Sequence, residues 1–185
     1  MKYAVLISIL AANAALAQNP PSGVLQEWEV QKLMQNLEAQ TKHLPTVIGQ
    51  IKPDTWITKG APETYLAQWT SSQAELKYLL ASSDALIKQP ERLTVALETY
   101  FRMQAMDTML GSLVEGIRKY QNPALAELVQ GVVDENSANR DKLRQYVQDL
   151  AAQKEQEFAV ADKEAQRCRA TLMRQPAPPG RKNQN

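Results

Sequence analysis

Hydrophobic residues recur at every third or fourth position over most of this chain, the spacing of a helix with one buried face. Between residues 24 and 51, Val30, Leu33, Met34, Leu37, Leu44, Ile48 and Ile51 share a face, with Thr41 as its polar exception. Tyr65, Leu66, Trp69, Leu76, Leu79, Leu80 and Ile87 form a second stripe. A third, carried by Leu97, Tyr100, Met103, Met106, Leu110, Leu113, Ile117 and Tyr120, drifts slowly around its axis. Such drift accompanies a repeat close to seven residues and a left-handed bundle. No strand-like alternation competes.

The fourth stripe keeps one angular phase from Leu125 through Val129, Val132, Leu143, Tyr146 and Leu150 to Phe158, Ala161, Ala165, Cys168 and Leu172. A break at Gly131 or in the polar run 134–139 would scramble that phase, so the pattern predicts a single helix over 123–172. At 1.5 Å per residue it is about 75 Å long, against about 40–46 Å for the other three. Helices joined by short connections pack antiparallel. The chain is therefore predicted to be all-α: a four-helix, up-down-up-down bundle with a long C-terminal helix. The excess length projects past the end that holds the start of the first helix.

Proline marks the boundaries. Pro62, Pro90 and Pro123 are predicted at the first position of the second, third and fourth helices, where a missing N–H costs nothing. Asn122 is a suitable N-cap ahead of Pro123. Pro45 predicts a kink near the end of the first helix. Residues 52–61 read as a linker, and 175–185 as a disordered tail without an apolar stripe.

The chain opens with a different kind of segment. Met1 and Lys2 precede an apolar run over 4–12, and Ala15-Leu16-Ala17 is an A-x-A cleavage signal. The run is shorter than the roughly 20 residues needed to span a bilayer. Residues 1–17 are thus predicted to be a cleaved signal peptide and 18–174 the bundle domain. The mature protein is expected in the periplasm or outside the cell, with no stable membrane span.

Composition narrows the function classes. The chain has 21 basic and 20 acidic residues, and removal of Lys2 with the leader balances them. A neutral protein has no bulk electrostatic reason to bind nucleic acid or an anionic membrane surface. Cys168 is the one cysteine, so an internal disulfide is impossible and stability must come from packing.

Candidate chemistry is sparse. His43, the lone histidine, has no second ligand or catalytic motif near it, and no C-x-x-C-H signals covalent haem. Met103, Met106 and Met109 place soft sulfur on successive turns, a pattern that suits Cu(I), but Met103 and Met106 lie on the core face with Leu110 and core packing is the favoured reading. Asp107 borders the same stripe, with Arg118, Arg140 and Arg144 as candidate partners. Asn136 and Asn139 fall on the apolar phase of the last helix, where polar groups fix register or line a wet cavity. Trp56, in the first linker, is expected to cap one end of the bundle. No cofactor is implied, and no catalytic constellation points to an enzyme.

Two features point outward. Trp28, with Val24 and Leu25, faces away from the main stripe of its helix; it meets the projecting helix near Phe158, meets a partner, or folds inward as a staple. Phe158, Ala161, Ala165, Cys168 and Leu172 form a narrow 3-4-3-4 seam bordered by Glu155, Glu157, Lys163, Glu164, Arg167 and Arg169. The first helix of the same chain is one cover for this seam, and two heptads alone make a weak coiled coil. The other cover is a protein partner or a second copy of the chain. The expected function is a non-enzymatic interaction or envelope-associated binding module using Trp28 and this seam. The alternative is a bundle that holds a small ligand or metal among Met103, Met106 and Asp107.

Overall fold

The computed structural model describes residues 27–174; the predicted leader, Val24 and Leu25, and the predicted tail lie outside the described residues. The elements are α1 (Glu27–Ile48), a single-turn α2 (Asp54–Ile57), α3 (Thr64–Lys88), α4 (Leu93–Gly116) and α5 (Pro123–Arg174). A widened π turn over Ile117–Gln121 ends α4. No strand occurs among the described residues. α3 packs on α4 and α4 on α5, while α1 lies against both α3 and α5. The result is an antiparallel four-helix bundle in which α1 and α4 occupy opposite corners.

Periodicity places the core well. Leu33, Leu37, Leu44 and Ile48 of α1 meet Leu76, Leu79 and Leu86 of α3, Met103, Met106, Leu110 and Leu113 of α4, and Leu125, Val129, Leu143 and Leu150 of α5 in one continuous cluster. Removing each such side chain from water contributes about 1.5–3 kcal/mol. Leu66 departs from its stripe and is exposed, because it sits in the first turn of α3 at the end of the bundle.

Element boundaries depart from expectation at three helix ends. Pro45 lies inside α1 as expected, but the helix ends at Ile48 rather than Ile51, where the Pro45 carbonyl accepts from the Gly49 amide at 3.0 Å. Pro62 and Pro90 stand ahead of α3 and α4 rather than at their first positions. Pro62 is followed by a tight turn, Leu66 N–H to Glu63 C=O at 3.0 Å, and Pro90 sits within one, Arg92 N–H to Gln89 C=O at 3.2 Å. Pro123 does open its helix, and the Asn122 carboxamide caps it by accepting from the Ala124 amide at 2.8 Å.

The expected linker contains a small folded plug. Trp56 of α2 is 0 % exposed, and its ring lies 5.5 Å from Tyr65 and 6.4 Å from Tyr120. Gly60, at φ 82, lets the chain reverse so that the Ala61 amide reaches the Trp56 carbonyl at 3.1 Å. The π turn carries Gln121 over this ring. Its side-chain oxygen accepts from Trp56 Nε1 at 3.1 Å and from the Lys52 amide at 3.0 Å, and its nitrogen donates to the Gln50 carbonyl at 2.7 Å. Trp56 thus closes the end of the bundle where α5 begins.

At the other end α5 does not stop. It passes through Gly131 and the polar run without interruption and continues beyond Leu150, the last buried residue. Residues 151–174 extend it by about 36 Å, and every residue from 155 to 174 is exposed.

Candidate functional site

The arm of α5 is built from strong helix formers, and its nucleation cost is already met inside the bundle. Local pairs reinforce it: Lys154 Nζ to Glu157 at 2.9 Å, Gln153 to Glu157 at 2.9 Å and Gln166 to Asp162 at 2.8 Å. The hydrogen bond from Lys154, then that from Gln153, holds the Glu157 carboxyl below its usual range. Such pairs are worth a few tenths of a kcal/mol each. They explain how the arm stays helical, not why it carries apolar side chains.

Those side chains are the salient property of the arm. Phe158 is 75 % and Leu172 66 % exposed, and Val160 and Met173 are also open to solvent. Ala161, Ala165 and Cys168, between Phe158 and Leu172, are exposed as well, with the Cys168 thiol free. Their 3-4-3-4 spacing on one continuous helix makes a single seam. Glu157 and Glu164 run along one border, and Asp162 and Arg169 along the other. The cover offered by the chain's own first helix is not used by the described residues. α1 begins at Glu27, and its Trp28 lies beside Gln145 in a shared groove, well short of Phe158. Trp28 itself is 60 % exposed. The structure therefore brings Phe158, Ala161, Ala165, Cys168 and Leu172 together and leaves Trp28 at the base of the arm.

Behind the arm lies a buried polar network. Asp107 of α4 accepts from Arg140 of α5 at 2.6 Å and, through its other oxygen, from the Asn136 carboxamide. Asn136 also donates to the Met103 carbonyl at 3.2 Å and accepts from Gln40 of α1 at 2.6 Å. Asn139 donates to the Gln40 oxygen at 2.9 Å, and Arg140 reaches Ser137 at 3.0 Å. Burial pushes the Asp107 carboxyl above its usual range, against the opposing pull of Asn136 and Arg140; Asp141 adds to the rise. Arg140 is the cationic partner among the three candidates. Gln40 went unread in the sequence, although it lies three residues after Leu37 and four before Leu44 and so falls on the same stripe.

The remaining candidates are ordinary in their surroundings. Met103 and Met106 are buried in the core, Met109 is half-buried and His43 is exposed. Among the described residues no cluster of three or more His, Cys, Asp or Glu side chains could hold a metal ion. No described helix is long and apolar enough to cross a membrane. A second polar bridge, Arg102 of α4 to Glu75 of α3 at 3.1 Å, was also missed; Glu75 precedes Leu76 and reads as solvent-facing until α4 is placed against it.

Comparison of the chain with models of known protein families, with curated proteins and with solved structures finds no match.

Proposed function

We propose that this is an exported, non-enzymatic interaction protein that presents the α5 arm to a helical protein partner, a second copy of the chain included. The supporting observation is the fully exposed stretch 155–174, which carries Phe158, Ala161, Ala165, Cys168 and Leu172 in coiled-coil order on a helix anchored by a folded bundle. An isolated helix gains nothing by exposing such a seam, whereas pairing buries it. The A-x-A pattern at Ala15-Leu16-Ala17 after an apolar run supports placement outside the cytoplasm. The other reading, a ligand or metal among Met103, Met106 and Asp107, has less support: both thioethers pack in the core and both oxygens of Asp107 are engaged.

A photo-crosslinking amino acid at position 158, compared with one at the exposed bundle position Thr108, tests this role in intact cells. A discrete adduct from 158 alone, lost when Ala165→Glu places a charge in the seam, is expected. Equal labelling from both positions, or no adduct from 158, counts against the arm. Retention of the protein in the cytoplasm counts against export.

A further inference from the structure

The groove at the base of the arm has a chemistry of its own. It lies between α1 and α5, encloses about 350 Å³, and is lined by Trp28, Glu29, Lys32, Leu33 and Asn36 of α1 with Lys142 and Gln145 of α5. Its apolar wall is the indole of Trp28 with Leu33. Its polar lining includes one lysine from each helix and the acidic Glu29.

Arg102, Arg118 and Arg140 each pair with a carboxylate on a neighbouring element or turn. Lys32 and Lys142, like several other surface lysines, form no ion pair among the described residues, and both line this groove, one from each of two neighbouring helices. Like charges set across a concave, partly apolar surface repel, and an anion between them relieves that cost. The Asn36 carboxamide adds N–H donors suited to carboxylate oxygens, while the Gln145 amide donates to Asp149 at 2.9 Å. The size falls at the lower end of small-molecule sites, in which apolar walls and a few polar groups fix orientation.

We infer that this groove binds a single-chain aliphatic carboxylate, with the alkyl chain along Trp28 and Leu33 and the head group between Lys32 and Lys142. Charge complementarity favours the anion, and the extended apolar wall favours a chain over a compact polar anion. The site is separate from the seam of the arm and does not depend on the reading proposed for it.

Titration of the full mature protein with decanoate, kept below its micelle concentration, tests the site by tryptophan fluorescence. Trp28 is the most exposed indole; Trp56 is buried and Trp69 half-buried. A saturable blue shift is expected in the wild type and not in Trp28→Phe. Lys142→Gln alone and Lys32→Gln/Lys142→Gln together should weaken binding by roughly tenfold or more, as the loss of charged hydrogen bonds does. Both lysines are on the surface, and unchanged circular dichroism verifies the fold of each variant. The uncharged decanol should bind at least about tenfold more weakly than decanoate. The site is overturned if the wild type shows no saturable shift, if decanol matches decanoate, or if the double lysine variant keeps its affinity.

Discussion

Asp107 and Asn136 meet inside the bundle, 29 residues apart in the chain, and their contact joins α4 to α5 where Gln40 also ties in α1. The truncation Asn136→Ala leaves the Gln40 amide and one Asp107 oxygen without a partner in a buried setting. Stability should fall by about 2 kcal/mol or more, read as a lower urea midpoint at unchanged slope. A loss under about 0.5 kcal/mol, typical of an indifferent surface site, would show the network to be idle.

Burial raises Asp107 above the usual carboxylate range, so the folded chain holds this proton more tightly than the unfolded chain. That contribution is fully present below the unfolded carboxylate pKa and is lost as pH rises through the raised value. The difference in stability between wild type and Asp107→Asn should therefore decline with rising pH across that window. Urea denaturation at a series of pH values measures it. A difference that is flat or rises would contradict the assignment.

Two glycines in equivalent-looking helix interiors should respond in opposite directions. A Cβ at Gly116 would lie 2.7 Å from Trp56 Cζ3 and 2.8 Å from Tyr65 Cε1, two rings already fixed by the plug. Gly116→Ala should cost about 1–3 kcal/mol through overpacking. Gly131 has nothing within 4 Å of the same position, so Gly131→Ala should gain about 0.5–1 kcal/mol from helix propensity. Thermal melts of the two variants side by side decide the point.

A chain of residues 18–152 should keep the melting temperature of residues 18–185 within about 2 °C, because the residues from 155 onward bury nothing against the bundle. Its helical signal per molecule should fall with the loss of the arm. A large drop in melting temperature would mean that the arm supports the fold in solution, as a dimer of full-length chains would also reveal through concentration dependence.

The helices were legible because their stripes are long. The drifting set from Leu97 to Tyr120 corresponds to the buried or half-buried face of α4 and its π turn, and Asn122 caps α5 as its position before Pro123 implied. The unbroken phase from Leu125 to Leu172 anticipated a continuous last helix, and its length anticipated the projection. Other features lay beyond a period of 3.6. The single turn around Trp56 is too short to display a period, and a five-residue π turn places Gln121 where regular winding would not. Gln40 was hidden by its chemistry: an amide in an apolar stripe reads as an interruption until Asn136 and Asn139 arrive opposite it. For the seam, periodicity identified the face but not its cover, since the length of α1 decides how far it reaches.

The Gln40, Asp107 and Arg140 contacts also give the arm a bearing. Phe158 follows Asn136 by about six helical turns, which carries it about 33 Å outward and within about 40° of the same radial direction. Rotating α5 to point its seam elsewhere would drag Asn136 and Asn139 out of their hydrogen bonds. Whatever docks on Phe158 therefore meets a surface whose azimuth is locked from inside the bundle, and a change at Gln40 should be felt as misalignment at a site it never touches.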